Sequence, residues 1–167
     1  MAHRLNPTKQ TQADHERRNK LGQFDREPTL QQLDGKDWGE SQPDDSRLVR
    51  ECLRLRRVQL KNLTVEDLRL LIGQEICTDH LLPLALEILR QNPFAEGDCY
   101  AGDLLVNVLG VSRDFWKQNS DWRMEVASIG SRALELCDGS PEIAADTIPK
   151  VIRQSMEDFL RKTQESV

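Results

Sequence analysis

Leu81-Leu82-Pro83-Leu84-Ala85-Leu86-Glu87-Ile88-Leu89 is the stretch whose reading decides the fold. Drawn at a helical period of about 3.6, His80, Glu87, Arg90 and Gln91 fall along one narrow stripe, and the rest of the surface is apolar. An apolar arc that wide needs neighbours on several sides, so the segment predicts a buried central helix wrapped by others. Asn92-Pro93 ends it, because proline lacks the N–H and pushes the residue before it out of α geometry. Phe94-Ala95-Glu96-Gly97-Asp98-Cys99-Tyr100-Ala101-Gly102-Asp103 follows as an acidic loop with two glycines. Leu104-Leu105-Val106-Asn107-Val108-Leu109 then reads as a second apolar helix, stopped by Gly110.

Towards the N-terminus, Leu63-Thr64-Val65-Glu66-Asp67-Leu68 carries a helix start. Thr64 caps, acids occupy the first turn, and Leu63 and Leu68 stand at staple spacing. Leu68, Leu70, Leu71 and Ile72 are predicted to pack inward, with Gly73 ending or loosening the helix. Earlier still, Ser46 is a candidate N-cap for a short helix whose apolar side is Leu48, Val49, Cys52, Leu53 and Leu55. Arg47, Arg50, Arg54 and Arg57 line its other side, either as a solvated face or as a bridge to the acidic loop before it. That loop, Asp34 to Asp45, holds Asp37, Glu40 and Asp44 around Trp38, an indole that either folds back on the core or serves as a contact. Thr29 or Pro28 starts a single helical turn through Leu33.

Towards the C-terminus, Ser112 caps a turn holding Phe115 and Trp116. Ser120 or Asp121 starts a helix holding Trp122, Met124, Val126, Ile129, Ala133, Leu134 and Leu136, and Gly139 stops it. Ser140-Pro141-Glu142 reads as a cap with proline at the first helical position. Ile148, Val151, Ile152, Met156, Phe159 and Leu160 trace a long amphipathic last helix, with Pro149 kinking it or sitting in its first turn. No segment sustains strand alternation. The expected fold is all-α: a compact bundle of about seven helices around the buried central helix, spanning residues 28–167. Residues 1–27 are polar, with only Leu5, Leu21 and Phe24 as large apolar groups, and read as a flexible N-terminal extension.

Composition narrows the function. No run approaches the ~20 apolar residues of a membrane span, so no membrane is expected as a partner. The N-terminus lacks an apolar stretch of the signal-peptide kind. Cys52, Cys77, Cys99 and Cys137 are widely spaced and read as thiols of a reducing cytoplasm. The net charge is −5. Residues 1–27 hold six of the 23 basic and four of the 28 acidic side chains, leaving 17 and 24 in the body, a net −7. A body that acidic is a poor match for phosphates and a good one for a basic partner, so no nucleic acid is expected.

No serine sits in a G-x-S-x-G elbow, and no cysteine has a second histidine to serve it. Glu96, Asp98 and Asp103 could gather a hard cation, which would make the chain a helical metal-dependent enzyme or regulator, but the dense D-x-D-x-D-G spacing is missing. The expectation is therefore a binding protein, not an enzyme, with no metal or cofactor. Its candidate partner-binding residues are Glu96, Asp98, Tyr100 and Asp103 in one loop and Asp37, Trp38 and Glu40 in the other. Tyrosine brings contact area at little entropic cost. The bland alternative is that Asp103 caps the helix from Leu104 and Asp98 accepts backbone N–H bonds inside the loop.

Several strings together resemble one family. They are Leu33-Asp34-Gly35-Lys36-Asp37-Trp38-Gly39-Glu40, Leu48-Val49-Arg50 with Leu53-Arg54, and Leu63-Thr64-Val65-Glu66-Asp67-Leu68-Arg69 on to Ile72-Gly73-Gln74. Then come Leu82-Pro83-Leu84-Ala85-Leu86, Asn92-Pro93-Phe94-Ala95-Glu96-Gly97-Asp98, Tyr100 and Gly102-Asp103-Leu104-Leu105. From about Pro28 to Trp116 the chain resembles the immunity proteins of bacterial contact-dependent growth inhibition systems. Cys99 stands where that pattern leads one to expect an aromatic residue, and Cys77 where it leads one to expect a small or aliphatic one. The resemblance implies a small cytoplasmic protein that neutralises the C-terminal toxin domain delivered by a neighbouring cell. Such toxins are commonly nucleases and hence basic, which agrees with the acidic body.

Overall fold

Thr64 starts a helix because its hydroxyl accepts the N–H of Asp67 while the Asp67 carboxylate accepts the N–H of Thr64, a reciprocal pair at 3.2 and 2.8 Å. The same device opens the first helix, where Thr29 and Gln32 exchange bonds of 3.2 and 2.9 Å. The computed structural model of the chain describes residues 25–139 and 148–164. Ser140-Pro141-Glu142 and most of the N-terminal extension lie outside the described residues.

Eight α-helices lie among the described residues: α1 (Leu30–Asp34), α2 (Arg47–Leu55), α3 (Val65–Gly73), α4 (Thr78–Gln91), α5 (Asp103–Gly110), α6 (Arg113–Gln118), α7 (Ser120–Asp138) and α8 (Ile148–Gln164). One 3-10 turn, Leu60–Asn62, joins α2 to α3. Extended pairing among the described residues is limited to an isolated bridge between Thr29 and Gln59. The all-α bundle expected from the sequence is therefore the fold. Asn92 ends α4 ahead of Pro93, and Pro83 is carried inside the helix.

The central helix α4 buries Leu81, Leu82, Leu84, Ala85, Leu86 and Leu89, and it packs on α3, α5 and α7. The short α5 is as central, because it packs on α3, α4, α7 and α8. A helix of eight residues has no stability of its own in water, so α5 is held by the burial of Leu104, Leu105, Val108 and Leu109. Trp116, on α6, lies edge-on to Phe115 and to Phe159 of α8, with centroids 5.2 and 5.5 Å apart. Its indole N–H reaches the carbonyl of Val111 at 3.1 Å, satisfying the one polar atom the ring brings inside.

Several sequence expectations shift. Leu160, on the apolar stripe of the last helix, is exposed, as are Met124 and Leu136 on α7 and Leu48 and Val49 in the first turn of α2. Ser120 is the first residue of α7, as the sequence suggests, with Asn119 at its N-cap, whereas Ser112 holds the cap position of α6 without a side-chain bond to the helix. Arg26 and Glu27 touch the body: Arg26 pairs with Glu87, Glu27 with Lys61 at 2.7 Å, and the Lys61 N–H donates to the Arg26 carbonyl at 3.0 Å.

Candidate functional site

The loop from Glu96 to Asp103 is folded around a buried carboxylate. Asp103 is the first residue of α5 and its side chain is only 1% exposed. One carboxylate oxygen accepts the N–H of Gly97 at 2.8 Å, and the other accepts those of Cys99 at 3.1 Å and Tyr100 at 3.4 Å. Three backbone donors of an irregular segment are satisfied by one side chain, the condition for burying such a segment. Gly102, in the left-handed region at φ +89°, makes the turn into α5.

A second carboxylate ties the loop to α3. Glu66 accepts the N–H of Asp98 at 2.9 Å and binds Arg69 through both oxygens at 2.6 Å. Arg69 stands 3.7 Å from Asp103. The bidentate Arg69 guanidinium holds the Glu66 carboxyl below its usual range, and the Glu66 hydrogen bonds in turn raise the Arg69 pKa. Gly97 is required here for space, since a methyl group on it would stand 2.5 Å from the Glu66 carboxylate.

Glu96 and Asp98 are therefore presented outward on a fixed backbone, both exposed. Tyr100 is half-buried, and burial together with the nearby Asp103 pushes its phenol pKa up. Asp103 is not available to a partner. Its oxygens face inward onto N–H groups, so it organises the loop rather than contacting from it. Nor does it stand at the N-cap, a position held by Gly102. No group of three His, Cys, Asp or Glu among the described residues is placed to hold a metal ion.

The loop from Asp34 to Asp45 is folded around a buried cation. Arg56, at the C-cap of α2, has a side chain 1% exposed. One guanidinium nitrogen donates to both oxygens of Asp34 at 3.0 and 2.9 Å and to the Lys36 carbonyl at 2.8 Å, and the other reaches the Cys77 thiol at 3.3 Å. The indole of Trp38 lies over the same guanidinium, 3.9 Å from its carbon, and remains 48% exposed. Burial acts to raise the Asp34 carboxyl, but the Lys36 N–H, Arg56 and Cys77 outweigh it and hold it below its usual range. Burial pushes the Cys77 thiol up to about 11.

Arg57 completes the clamp. It donates to Glu40 at 2.8 Å and to the Gly39 carbonyl at 2.7 Å, and lies 3.8 Å from Asp37. Asp37 also accepts the N–H of Gly39 at 2.9 Å. Of the four arginines on α2's polar side, Arg57 and Arg50 bridge to the loop, whereas Arg54 binds Glu51 in its own helix. Arg56, Glu66 and Arg69 were missed as organisers of the loops. The signal for Arg56 was legible: it falls four residues after Cys52 and next to Leu55, on the buried stripe of α2.

Together these features define a small helical domain presenting two acidic loops whose backbones are fixed from within. A family model described as CDI immunity proteins matches residues 32–126, a span that includes both loops. That is 95 of the 167 residues, and the chain belongs to this family of CDI immunity proteins. Comparisons with curated proteins and with solved structures gave no match.

Proposed function

We propose that this chain binds and neutralises the C-terminal toxin domain of a contact-dependent growth inhibition system and so protects the cytoplasm of the cell that makes it. Membership of the CDI immunity proteins is the observation that carries the reading. The toxin domain is a basic protein, in keeping with a nuclease, and the acidic loops meet the lysines and arginines that otherwise hold its substrate's phosphates. Glu96, Asp98 and Tyr100 on one loop and Asp37, Trp38 and Glu40 on the other form the contact surface. Asp103 acts from behind, holding Glu96 and Asp98 in place. The chain works by occupying a surface and carries out no reaction of its own.

Co-expression of this chain with candidate toxin domains, scored by survival, tests the role. Survival with one toxin domain and death with the rest supports it, and failure to protect against any overturns it. Glu96→Lys and Asp98→Lys then test the loop. Each is expected to melt like wild type and to bind far more weakly, since like charges across an interface cost several kcal/mol. Full affinity in both removes the loop from the contact surface.

A further inference from the structure

The described residues carry six large hydrophobic side chains that are conspicuously exposed: Trp38, Leu48, Val49, Met124, Leu136 and Leu160. Three of the six fall within Trp38–Val49, and none falls in the Glu96–Asp103 loop. Leu48 and Val49 are each 42% exposed, yet they belong to the apolar stripe of α2. Leu48, Cys52 and Leu55 stand at spacings of four and three, and Val49, Cys52 and Arg56 at three and four. The body covers this stripe at Cys52, Leu55 and Arg56 and leaves its first turn open.

The loop before α2 runs back along that helix. Asp34 and Lys36 are held at Arg56, Gly39 and Glu40 at Arg57, and the Asp45 carbonyl at Arg50. Val49 and Arg56 are seven residues apart, hence on one side of the helix and separated by about 10 Å along its axis. Trp38 lies on Arg56. The indole and the open turn at Leu48 and Val49 are thus attached to one short helix, the first near its C-terminal end and the second at its N-terminal end.

Trp38 is already fixed. The guanidinium beneath it and the bonds on either side of it remove most of the freedom it would lose on binding, which is what makes an aromatic side chain an anchor. The segment Asp34–Asp45 contains five carboxylates and one lysine. Arg56 and Arg57 pair with three of those acids, and the charge that suits a basic partner is the net −7 of the body from residue 28 onward. The two loops are linked through α2 and α3: Arg54 of α2 lies 3.9 Å from Asp67 of α3, next to the Glu66 that holds Asp98.

We infer that Trp38, Leu48 and Val49 form the anchor of the toxin interface and seat in an apolar pocket on a basic toxin domain. This inference rests on the toxin-binding reading above. Glu96 and Asp98 are the charged rim: they speed encounter, whereas the anchor sets how long the complex lasts. Arg56 and Arg57 are positioning residues, acting through Trp38 and the loop.

The test is the binding kinetics of the full chain with the toxin domain that co-expression identifies. Trp38→Ala, Leu48→Asp and Val49→Asp are expected to weaken binding by about thirtyfold or more, mainly through faster dissociation. Trp38→Phe keeps a ring over Arg56 and should recover much of the loss. Glu96→Lys should instead slow association and reduce its salt dependence. Melting temperatures are read alongside, and if Trp38→Ala fails to fold, the exposed Leu48 and Val49 carry the test. Unchanged dissociation in Leu48→Asp and Val49→Asp, with protection intact, overturns the anchor and leaves the toxin-binding reading standing. So does a rise in hydrogen exchange over residues 38–49 of the free chain on removal of residues 1–24, because the face would then be covered by the chain itself. A wild-type chain that forms no complex with any toxin domain overturns both.

Discussion

The two acidic loops are built as electrical opposites. The Glu96–Asp103 loop turns its N–H groups inward and closes on a carboxylate, that of Asp103. The Asp34–Asp45 loop turns a carbonyl and a carboxylate inward and closes on a guanidinium, that of Arg56. In each case the buried charge answers the backbone or side-chain groups that the loop could not otherwise satisfy, and the remaining acids are left on the surface. Acid content alone therefore says little about which acid meets a partner. What decides it is the sign of the group the loop is wrapped around.

The comparison is broken most severely by removing the cation. Arg56→Met leaves the Asp34 carboxylate without its partner and Trp38 without its support. Breaking a buried pair costs 3–5 kcal/mol, and since Asp34 keeps some contact with solvent the lower end applies, about 3 kcal/mol by chemical denaturation. Removing the anion's charge is expected to cost less. Asp103→Asn looks mild from sequence, because asparagine also caps helices. In the folded loop both oxygens are used, and an amide would turn its NH2 group towards a backbone N–H. The expected loss is about 2 kcal/mol, against near zero for a simple cap exchange.

Acid should loosen both loops at once. Asp34 and Glu66 titrate below their usual range in the folded chain. Each therefore contributes its full stabilisation above the unfolded carboxylate pKa of about 4 and loses it as pH falls through the lower folded value. The melting temperature is expected to decline below about pH 4, and Glu66→Gln should flatten that decline. The smallest effect belongs to the N-terminal extension. Truncation before Pro28 removes two exposed ion pairs, Arg26–Glu87 and Glu27–Lys61, and the bond from the Lys61 N–H to the Arg26 carbonyl, each pair worth under about 1 kcal/mol. A drop in melting temperature of more than a few degrees would mean that the extension does more than these pairs show.

The sequence by itself determined the helical fold, the central helix and most helix ends. Those features depend on local spacing: a leucine-rich arc at Leu81–Leu89, a Thr64–Asp67 box, the Asn92-Pro93 stop. It also located both loops, since glycine and clustered acids interrupt the period there. It could not say which acids face solvent. Asp103 and Asp98 are alike as side chains, yet one is buried under three N–H groups and the other is presented outward. Nor could it show that the stripe of α2 outruns the body at Leu48 and Val49, because periodicity reports which side of a helix is apolar and not how far its neighbours extend. Those outcomes were decided by tertiary structure, where groups distant in sequence, such as Glu66 and Asp98 or Arg56 and Asp34, meet and settle which charge is enclosed.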